Sequence, residues 1–209
     1  MLKTPPEQHT IRPSILYFGT PVSLISTLNP DGSANLWPMS SSWALGDRIV
    51  LGMATTGRGF LNIEQRRECV INMPSPEMWE AVERIAATTG LDPLPAYKVE
   101  MGYRFEPRKF ERAGLTPLRS EVVAPPRVAE CPLQFEARVL AIHHASGNEE
   151  GPTSMAMIET RVERVHAHDS IIVRGTNHVD TARWSPLFYV FRHYMGLGPE
   201  LGTNFRVEA

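Results

Sequence analysis

Short runs of apolar and β-branched residues, separated by turn residues, dominate the first third of the chain. Residues 21–28 (PVSLISTL) form one run, NPDG follows at 29–32, and residues 33–43 resume an extended pattern. An Asp-Gly pair between two such runs indicates a hairpin, because glycine accepts the positive φ that a tight turn requires. Residues 47–54 and 68–73 have the same character. The pattern therefore predicts four strands, the first two joined as a hairpin.

Helical spacing interrupts the strands at three places. Residues 60–67 (FLNIEQRR) are predicted as a short helix, and residues 109–114 as another that ends at a glycine. Between them, apolar residues in 76–87 recur at intervals of three and four, which predicts an amphipathic helix with one buried face. The residues of that face are Met78, Trp79, Val82, Ile85 and Ala86.

Strands resume late in the chain and decide the fold class. Residues 134–143, 156–167 and 170–174 are predicted strands, the second with one slip in its alternation. Six or seven short strands with irregularly inserted helices predict a mainly β domain, an antiparallel barrel or sandwich, rather than a doubly wound sheet. The absence of a GxGxxG segment favours the same conclusion, since a Rossmann-type nicotinamide domain needs that fingerprint.

Composition and charge narrow the class of partner. With 209 residues, 42% apolar and 21% charged, the chain suits one globular domain over 1–209. Its formal net charge of -2 gives no overall attraction to nucleic acid or to an anionic membrane. No apolar run approaches the roughly 20 residues that span a bilayer, and prolines stand where a secretory signal needs apolar residues. A cytoplasmic location is expected.

Two polar segments carry most of the candidate chemistry. The first, at 35–43, contains three consecutive serines on a predicted strand, where successive side chains face opposite ways, so at least one hydroxyl faces inward. The second, at 55–62, places two threonines, two glycines and Arg58 at a predicted helix start. Helix N-terminal amides and an arginine suit a phosphate group. Spacing alone leaves the alternative equally open: polar strand residues followed by an ordinary turn.

The order of these segments resembles the flavin reductase-like, FMN-binding split-barrel family. That family has an N-L-A-P-x-S segment along the isoalloxazine ring and a K-D-T-x-x-N-I segment near the phosphate. The matching positions are Asn35, Leu36, Pro38 and Ser40, then Asn62 and Ile63, with Asn72 at the end of the following strand. A weaker likeness continues through Val165-His166 and Ser185-Pro186-Leu187 to Tyr194, so that the resemblance spans about residues 15–197.

The resemblance implies a dimeric split barrel that binds FMN, and an oxidoreductase of the flavin reductase type. It implies NAD(P)H and a small-molecule acceptor as further partners and a homodimer as the assembly, and assigns no catalytic residue. The residues assigned to the cofactor are Asn35, Trp37, Pro38, Met39, Ser40, Ser41, Ser42, Thr55, Thr56, Arg58 and Asn62. Amides of residues 39–41 are expected at the pyrimidine edge of the ring, Ser42 and Thr55 at the ribityl chain and phosphate, and Arg58 at the phosphate charge.

Two departures from the family pattern fall inside the expected site. Gly57, Arg58 and Gly59 stand where lysine, aspartate and threonine are usual, so Thr55, Thr56 and Arg58 are expected to replace the missing threonine contact. Trp37 stands where a small alanine is usual, and we expect it to stack on the flavin ring or to crowd it.

Other functions stay open at this point. The pairs His143-His144 and His166-x-His168 lie on neighbouring late segments, and a metal-dependent hydrolase would use such histidines. A non-catalytic flavin or small-ligand binder on the same fold is a third reading. Cys69 and Cys131 lack CxxC spacing and are expected to be buried free thiols. The aromatic run at 184–191 is expected in a core or interface, or over a flavin.

Overall fold

The computed structural model describes residues 6–145 and 154–204. Residues 1–5, 146–153 and 205–209 lie outside these ranges. The strands are β1 (Phe18–Pro21), β2 (Ser23–Leu28), β3 (Ala34–Met39), β4 (Ser42–Leu45), β5 (Arg48–Ala54), β6 (Glu68–Met73), β7 (Thr88–Thr89), β8 (Arg104–Phe105), β9 (Pro117–Leu118), β10 (Arg127–Val128), β11 (Leu133–His144), β12 (Met155–Ala167), β13 (Phe188–Val190) and β14 (His193–Met195). The helices are α1 (Arg58–Arg66), α2 (Trp79–Ala86), α3 (Ala96–Glu100) and α4 (Lys109–Ala113).

Seven antiparallel strands form the main sheet, in the order β3-β2-β6-β11-β12-β5-β4. Strands β3 and β4 therefore stand at opposite edges, although only Ser40 and Ser41 separate them in sequence. Two residues span no more than about 10 Å, so the sheet must curl until its edges meet. The amide of Gly52 in β5 donates to the carbonyl of Ser41 at 2.7 Å, which extends the β4-β5 pairing to residue 41 and ties the connection to that edge. The sheet is thus a barrel, with its seam at residues 40–41.

Two apolar clusters stabilise the barrel. One lies inside it, where Ile25, Leu51, Ile71 and Ile158 pack against Phe60 and Ile63 of α1. The other lies outside the β2-β3 side, where Leu24 and Leu36 meet α2 and α4. Consecutive strand residues supply opposite clusters, as the period of two in a strand requires. Helix α1 closes one end of the barrel, and α2 with α4 covers one face.

Most of the predicted elements are confirmed, with four corrections. Residues 33–43 are two strands and not one, because the chain leaves one sheet edge and enters the other at residues 40–41. Residues 170–174 are not a strand: a 3-10 turn covers Asp169–Ile171 and a single bridge joins Ile172 to Val179. Trp79 is 46% exposed rather than buried. The hairpin β13-β14 pairs with β1 and was predicted only as an aromatic run.

Smaller expectations can be checked directly. Both cysteines are free and completely buried, as predicted, and burial raises the pKa of the Cys69 thiol to about 12. The hairpin turn has Gly32 at φ +84°, and its Ser33 amide donates to Asp31 Oδ1 at 2.9 Å. Among the residues described, no helix combines the length and apolar character needed to cross a membrane.

Candidate functional site

A cleft of about 820 Å³ opens at the barrel seam. Its walls come from β3 and the seam, the end of β5, the start of α1, helix α2, the segment 87–109 and the β13-β14 hairpin. The lining residues are Tyr17, Val22, Asn35, Trp37, Pro38, Met39, Ser40, Ser41, Gly52, Met53, Ala54, Gly57, Arg58, Gly59, Phe60, Val82, Glu83, Ala86, Ala87, Thr88, Thr89, Gly90, Lys98, Met101, Tyr103, Lys109, Tyr189, Arg192 and Tyr194. The volume is in the range of about 300–1,000 Å³ that small-molecule and cofactor sites occupy.

Seven of the eleven residues predicted for the cofactor line this cleft. They are Asn35, Trp37, Pro38, Met39, Ser40, Ser41 and Arg58. Six of them come from one continuous stretch of β3 and the seam, and Arg58 is the first residue of α1. The segment predicted from the sequence therefore forms one wall of this cleft.

The other four predicted residues do not line the cleft. The Ser42 hydroxyl faces that of Ser23 at 3.4 Å, and Thr55 Oγ1 donates at 3.4 Å to the carbonyl of Ser154, the residue before β12. Thr56 Oγ1 accepts a hydrogen bond from Tyr97 at 2.8 Å. Asn62 is buried and donates to Thr27 Oγ1 at 3.0 Å and to Asn29 Oδ1 at 2.9 Å. Asn62 thus fastens α1 to the hairpin of β2 and β3.

Trp37 and Gly59, the two departures from the family pattern, are in direct contact. A methyl group at Gly59 would lie 2.5 Å from Cη2 of the Trp37 indole and 2.6 Å from the two carbons next to it. Carbon atoms in contact stand about 3.5–4.0 Å apart, so this space is already taken by the ring. The indole occupies the space that a side chain at residue 59 would need, so Trp37 fits here because residue 59 is glycine.

We expect Gly59→Thr to lower the free energy of unfolding by about 1–3 kcal/mol, because the new side chain must displace the indole. In a Trp37→Ala background the same substitution should have a much smaller effect, since the ring is gone. Urea denaturation of the wild type, both single variants and the double variant measures this coupling. Gly57→Ala is a matched control, because its methyl group would meet nothing closer than the Ala54 carbonyl oxygen at 3.9 Å. Equal effects of Gly59→Thr in both backgrounds would show that the indole does not limit residue 59.

Three basic side chains line one end of the cleft. Arg58, Lys98 and Lys109 all line it, and Lys109 is 3% exposed. Within residues 6–145 and 154–204, Lys109 has no hydrogen-bond or ion-pair partner. Burial and, to a smaller extent, the nearby charge of Lys98 lower the pKa of Lys109 to about 7, although Glu106 acts in the opposite direction. A buried amine beside two other cations is stabilised by an anion.

Lys98 and Arg58 are held in place by groups of the 87–109 segment. The Lys98 ammonium donates to Thr89 Oγ1 at 3.4 Å and lies 5.6 Å from the centre of the Tyr103 ring. Burial lowers its pKa. Arg58 Nε donates to the Gly90 carbonyl at 3.2 Å. These contacts hold the Lys98 ammonium and the Arg58 Nε at the wall of the cleft, which both residues line.

Asn35 adds an unsatisfied donor at the same end. Its side chain is 3% exposed, and its Nδ2 has no hydrogen-bond partner among the described residues. Gly90 allows this packing, since a methyl group there would lie 3.0 Å from Asn35 Oδ1 and 3.1 Å from Arg58 Cγ. A buried amide donor without a partner carries a desolvation penalty that a ligand acceptor removes.

Tyrosines form the other end of the cleft. The rings of Tyr17 and Tyr189 are 5.7 Å apart and nearly perpendicular, and those of Tyr189 and Tyr194 are 5.6 Å apart. Two of their hydroxyls are engaged: that of Tyr17 with Ser41 Oγ at 2.8 Å, and that of Tyr194 as donor to Glu83 at 2.9 Å. The aromatic run predicted near the C-terminus thus contributes Tyr189 to this wall.

The late histidines lie away from the cleft and have protein partners. His166 Nε2 is 2.7 Å from Glu136 Oε1, and His168 Nε2 is 2.9 Å from the Ala129 carbonyl. His143 lies 3.5 Å from Glu159, and the ring of His144 packs edge-on against Phe60. Among the described residues, no three His, Cys, Asp or Glu side chains come together in an arrangement suited to a metal ion.

Comparisons with known proteins agree with this architecture. The family model for the flavin reductase like domain matches residues 15–198. A protein of Bacillus subtilis (strain 168), the uncharacterized protein YdfE, is 48% identical over 198 residues, which cover 95% of this chain and 93% of the relative.

Two solved structures share the fold across nearly their whole length. Flavoredoxin of Desulfovibrio vulgaris (Miyazaki F) superposes with a TM-score of 0.76 at 19% identity, covering 96% of this chain and 98% of that one. Nitrilotriacetate monooxygenase component B from Bacillus cereus superposes with a TM-score of 0.71 at 21% identity, and the match covers 97% of this chain and 98% of that one. At such identities the likeness establishes the fold, a mainly β split barrel with few helices.

Proposed function

The chain belongs to the flavin reductase like domain family, and on that premise we propose that it is an FMN-binding oxidoreductase whose cofactor lies in the cleft at the barrel seam. The phosphate occupies the end formed by Arg58, Lys98 and Lys109, and the isoalloxazine ring lies along the wall from Trp37 to Ser41. NAD(P)H supplies the reducing equivalents in this proposal, and a small molecule accepts them.

The buried, unpartnered amine of Lys109 is the observation that carries the proposal. A charged or half-charged amine inside a protein is unfavourable unless an anion compensates it. A phosphate does so, and it also supplies acceptors for Arg58 and for the free Nδ2 of Asn35. The start of α1 faces the same space: Gly57 provides no side-chain cap, and the first turn contains no acidic residue. Because the first amides of the helix have no side-chain cap and no acidic side chain lies beside them, this helix N-terminus favours binding of a phosphate.

This arrangement changes the predicted phosphate contacts. Arg58 stays in the proposed site, whereas Thr55 and Thr56 are replaced by the two lysines. Sequence reasoning missed both lysines, since neither lies in the segments that resemble the family motifs.

The remaining walls suit a flat ring with a polar edge. When bound, FMN supplies hydride and electron transfer, and the protein has to orient the ring and bind its polar edge. Ser40 and Ser41 lie between β3 and β4, outside both strands; the Ser41 carbonyl accepts the Gly52 amide, and we propose that the amides of residues 40 and 41 bind the polar edge of the ring. Trp37, fixed against Gly59, borders the ring position from one side. Ser41 is oriented by its hydrogen bond to Tyr17.

The proposal is tested by titrating flavin-free protein with FMN and following the flavin absorbance and fluorescence. We expect saturable binding, and we expect Arg58→Ala to weaken it about tenfold or more, because one charged hydrogen bond in a desolvated site contributes about 1.5–3 kcal/mol. Arg66→Ala is a matched control, since Arg66 is the last residue of the same helix and binds the turn carbonyls of residues 29 and 30. Absence of FMN binding by the wild type would refute the proposal.

Turnover separates the oxidoreductase from a non-catalytic flavin binder on the same fold. Oxidation of NADH or NADPH by the FMN-loaded protein, followed at 340 nm, is expected for the oxidoreductase. Tight flavin binding without oxidation of either nucleotide favours the binder instead.

Assembly and domain organisation complete the proposal. We propose a single domain over 1–209 that acts as a homodimer. Large apolar side chains stay exposed on the barrel, including Trp43 at 57%, Leu45 at 70% and Met155 at 53%, and a second copy of the chain would cover such a surface.

A further inference from the structure

The tyrosine end of the cleft contains an arginine on a strained turn. Phe191 and Arg192 connect β13 to β14 as a two-residue turn, with φ of +43° and +72°. Both values lie in the left-handed region, where residues other than glycine, asparagine and aspartate are uncommon, because the side chain crowds the backbone. Non-glycine residues kept in this region are concentrated at functional sites.

Arg192 stands where two cavities meet. It lines the main cleft, and it also lines a neighbouring cavity of about 480 Å³ beside Trp79 and Gly196. Within the described parts of the chain, its guanidinium has no hydrogen-bond or ion-pair partner. The nearby carboxylate of Glu83 already accepts the Tyr194 hydroxyl. The guanidinium is therefore available to an anionic ligand.

The surfaces around Arg192 are aromatic. Tyr189 and Tyr194 line the main cleft, and Trp79 lies 6.2 Å from Tyr194 on the side of the second cavity. Aromatic side chains favour a flat partner in stacked or edge-on contact, and an arginine beside them binds a carboxylate through two parallel hydrogen bonds. The proposed phosphate site uses different cations, Arg58, Lys98 and Lys109, which come from α1, α3 and α4 rather than from the β13-β14 hairpin.

Building on the proposed function, we infer that the tyrosine end is the subsite for the second substrate, which is a planar aromatic molecule with an anionic group bound by Arg192. A nicotinamide dinucleotide and an aromatic carboxylic acid share this chemistry. The inference assigns no step in the reaction to Arg192, which acts as a specificity-determining residue.

The test uses benzoate and its uncharged analogue benzamide, with calorimetry on the protein with and without FMN. We expect Arg192→Gln to weaken benzoate binding about tenfold, with little change for benzamide and less than a twofold change in FMN affinity. Tyr189→Leu should weaken both probes alike, because it removes ring contact rather than charge. Arg174→Gln is the control, since Arg174 is exposed and outside both cavities.

Titration of the same proteins with NAD⁺ identifies the source of the ligand. A loss of NAD⁺ affinity in Arg192→Gln assigns the subsite to the nicotinamide dinucleotide, and a loss for benzoate alone assigns it to an aromatic acid. If Arg192→Gln changes the affinity for neither benzoate nor NAD⁺, the inference is wrong. It is also wrong if Arg192→Gln weakens FMN binding as strongly as it weakens binding of the probes. A wild type that binds benzoate through Arg192 but never binds FMN refutes the proposed function and leaves the anion subsite standing.

Discussion

Replacing Glu136 with alanine is expected to lower the free energy of unfolding by about 3–5 kcal/mol, because a buried, fully hydrogen-bonded carboxylate is removed from its donors. Glu136 lies on β11 with its side chain completely buried. Its oxygens accept the amides of Glu121 at 2.8 Å, Val122 at 2.6 Å and Val123 at 3.2 Å. Without it, three backbone donors of the 119–128 segment and the ring of His166 lose their acceptor.

The segment 119–128 depends on several such contacts, of which Glu136 makes the most. Asn72 accepts the Val128 amide at 2.8 Å and donates to the Leu24 carbonyl at 2.9 Å, so it links the segment to the sheet. Glu68 accepts the Ala124 amide at 2.9 Å. The family-like asparagine at the end of β6 therefore has a structural role here, away from the cleft.

Chemical denaturation of Glu136→Ala and Glu136→Gln measures the effect, and glutamine is the control that keeps one acceptor oxygen. We expect Glu136→Gln to lower the free energy of unfolding less than Glu136→Ala does. Burial alone would raise the pKa of Glu136, but the three amides and His166 outweigh it and bring the pKa below its ordinary value of 4.5. The associated stability is thus complete above that value and is lost as the pH falls through the folded-state pKa. If the free energy of unfolding of Glu136→Gln fell at acidic pH as it does in the wild type, this role of Glu136 would be contradicted.

Lys109→Met is expected to have opposite effects on stability and on FMN binding. Methionine keeps most of the aliphatic stem and removes the buried amine, so the flavin-free variant should be more stable than the wild type by about 2–4 kcal/mol at pH 6. The same variant should bind FMN about tenfold or more weakly, because the phosphate loses a charged partner. A residue that lowers stability and raises affinity is typical of a binding site.

The sign of the pH dependence follows from the lowered pKa of Lys109. The unfolded chain binds a proton on this amine below about pH 10.5, whereas the folded chain does so only below about pH 7. Folding stability therefore falls as the pH drops from 10.5 to 7, and below 7 the destabilisation by this amine is complete and no longer changes with pH. The stability advantage of Lys109→Met should shrink steadily above pH 7. Lys98→Met, at the more exposed neighbour, is the comparison, and a smaller stabilisation is expected there.

Thermal unfolding with and without FMN separates the two effects. At the same excess of FMN, the Tm of the wild type should rise more than that of Lys109→Met, because the stabilisation of the folded state grows with the logarithm of the ligand concentration divided by Kd. A Lys109→Met protein that is less stable than the wild type and binds FMN equally well would show that the amine has a structural partner instead.

The sequence predicted the local elements well, because each has its own periodicity. Strands β5, β6 and β11 and helix α1 occupy the predicted segments to within two residues. The break at residues 40–41 was missed, since no local signal shows that β3 and β4 belong to opposite edges of one sheet. Closure of a barrel depends on pairings between distant strands, such as β5 with β12.

The candidate site was predicted where its residues are contiguous and missed where tertiary packing brings them in. The stretch from Asn35 to Ser41 was found because it is one segment. Lys109 begins a short helix with charged neighbours, so the sequence pattern predicts a solvent-facing side chain. It is buried because α4 packs against α2 and β3. Tyr17 and Tyr189 come from the two ends of the chain and meet through the pairing of β1 with β13.

The contact between Trp37 and Gly59 also constrains the order in which such a sequence arises. A chain with alanine at 37 and threonine at 59 could lose its threonine first, with a modest loss of contacts. Acquiring the tryptophan first would bring its ring into the space of the threonine side chain. For a chain that starts from that pair, we expect glycine at 59 to be acquired before the tryptophan, and we expect a return to threonine to be unfavourable while the tryptophan remains. The effect of a substitution at residue 59 therefore depends on which residue stands at 37.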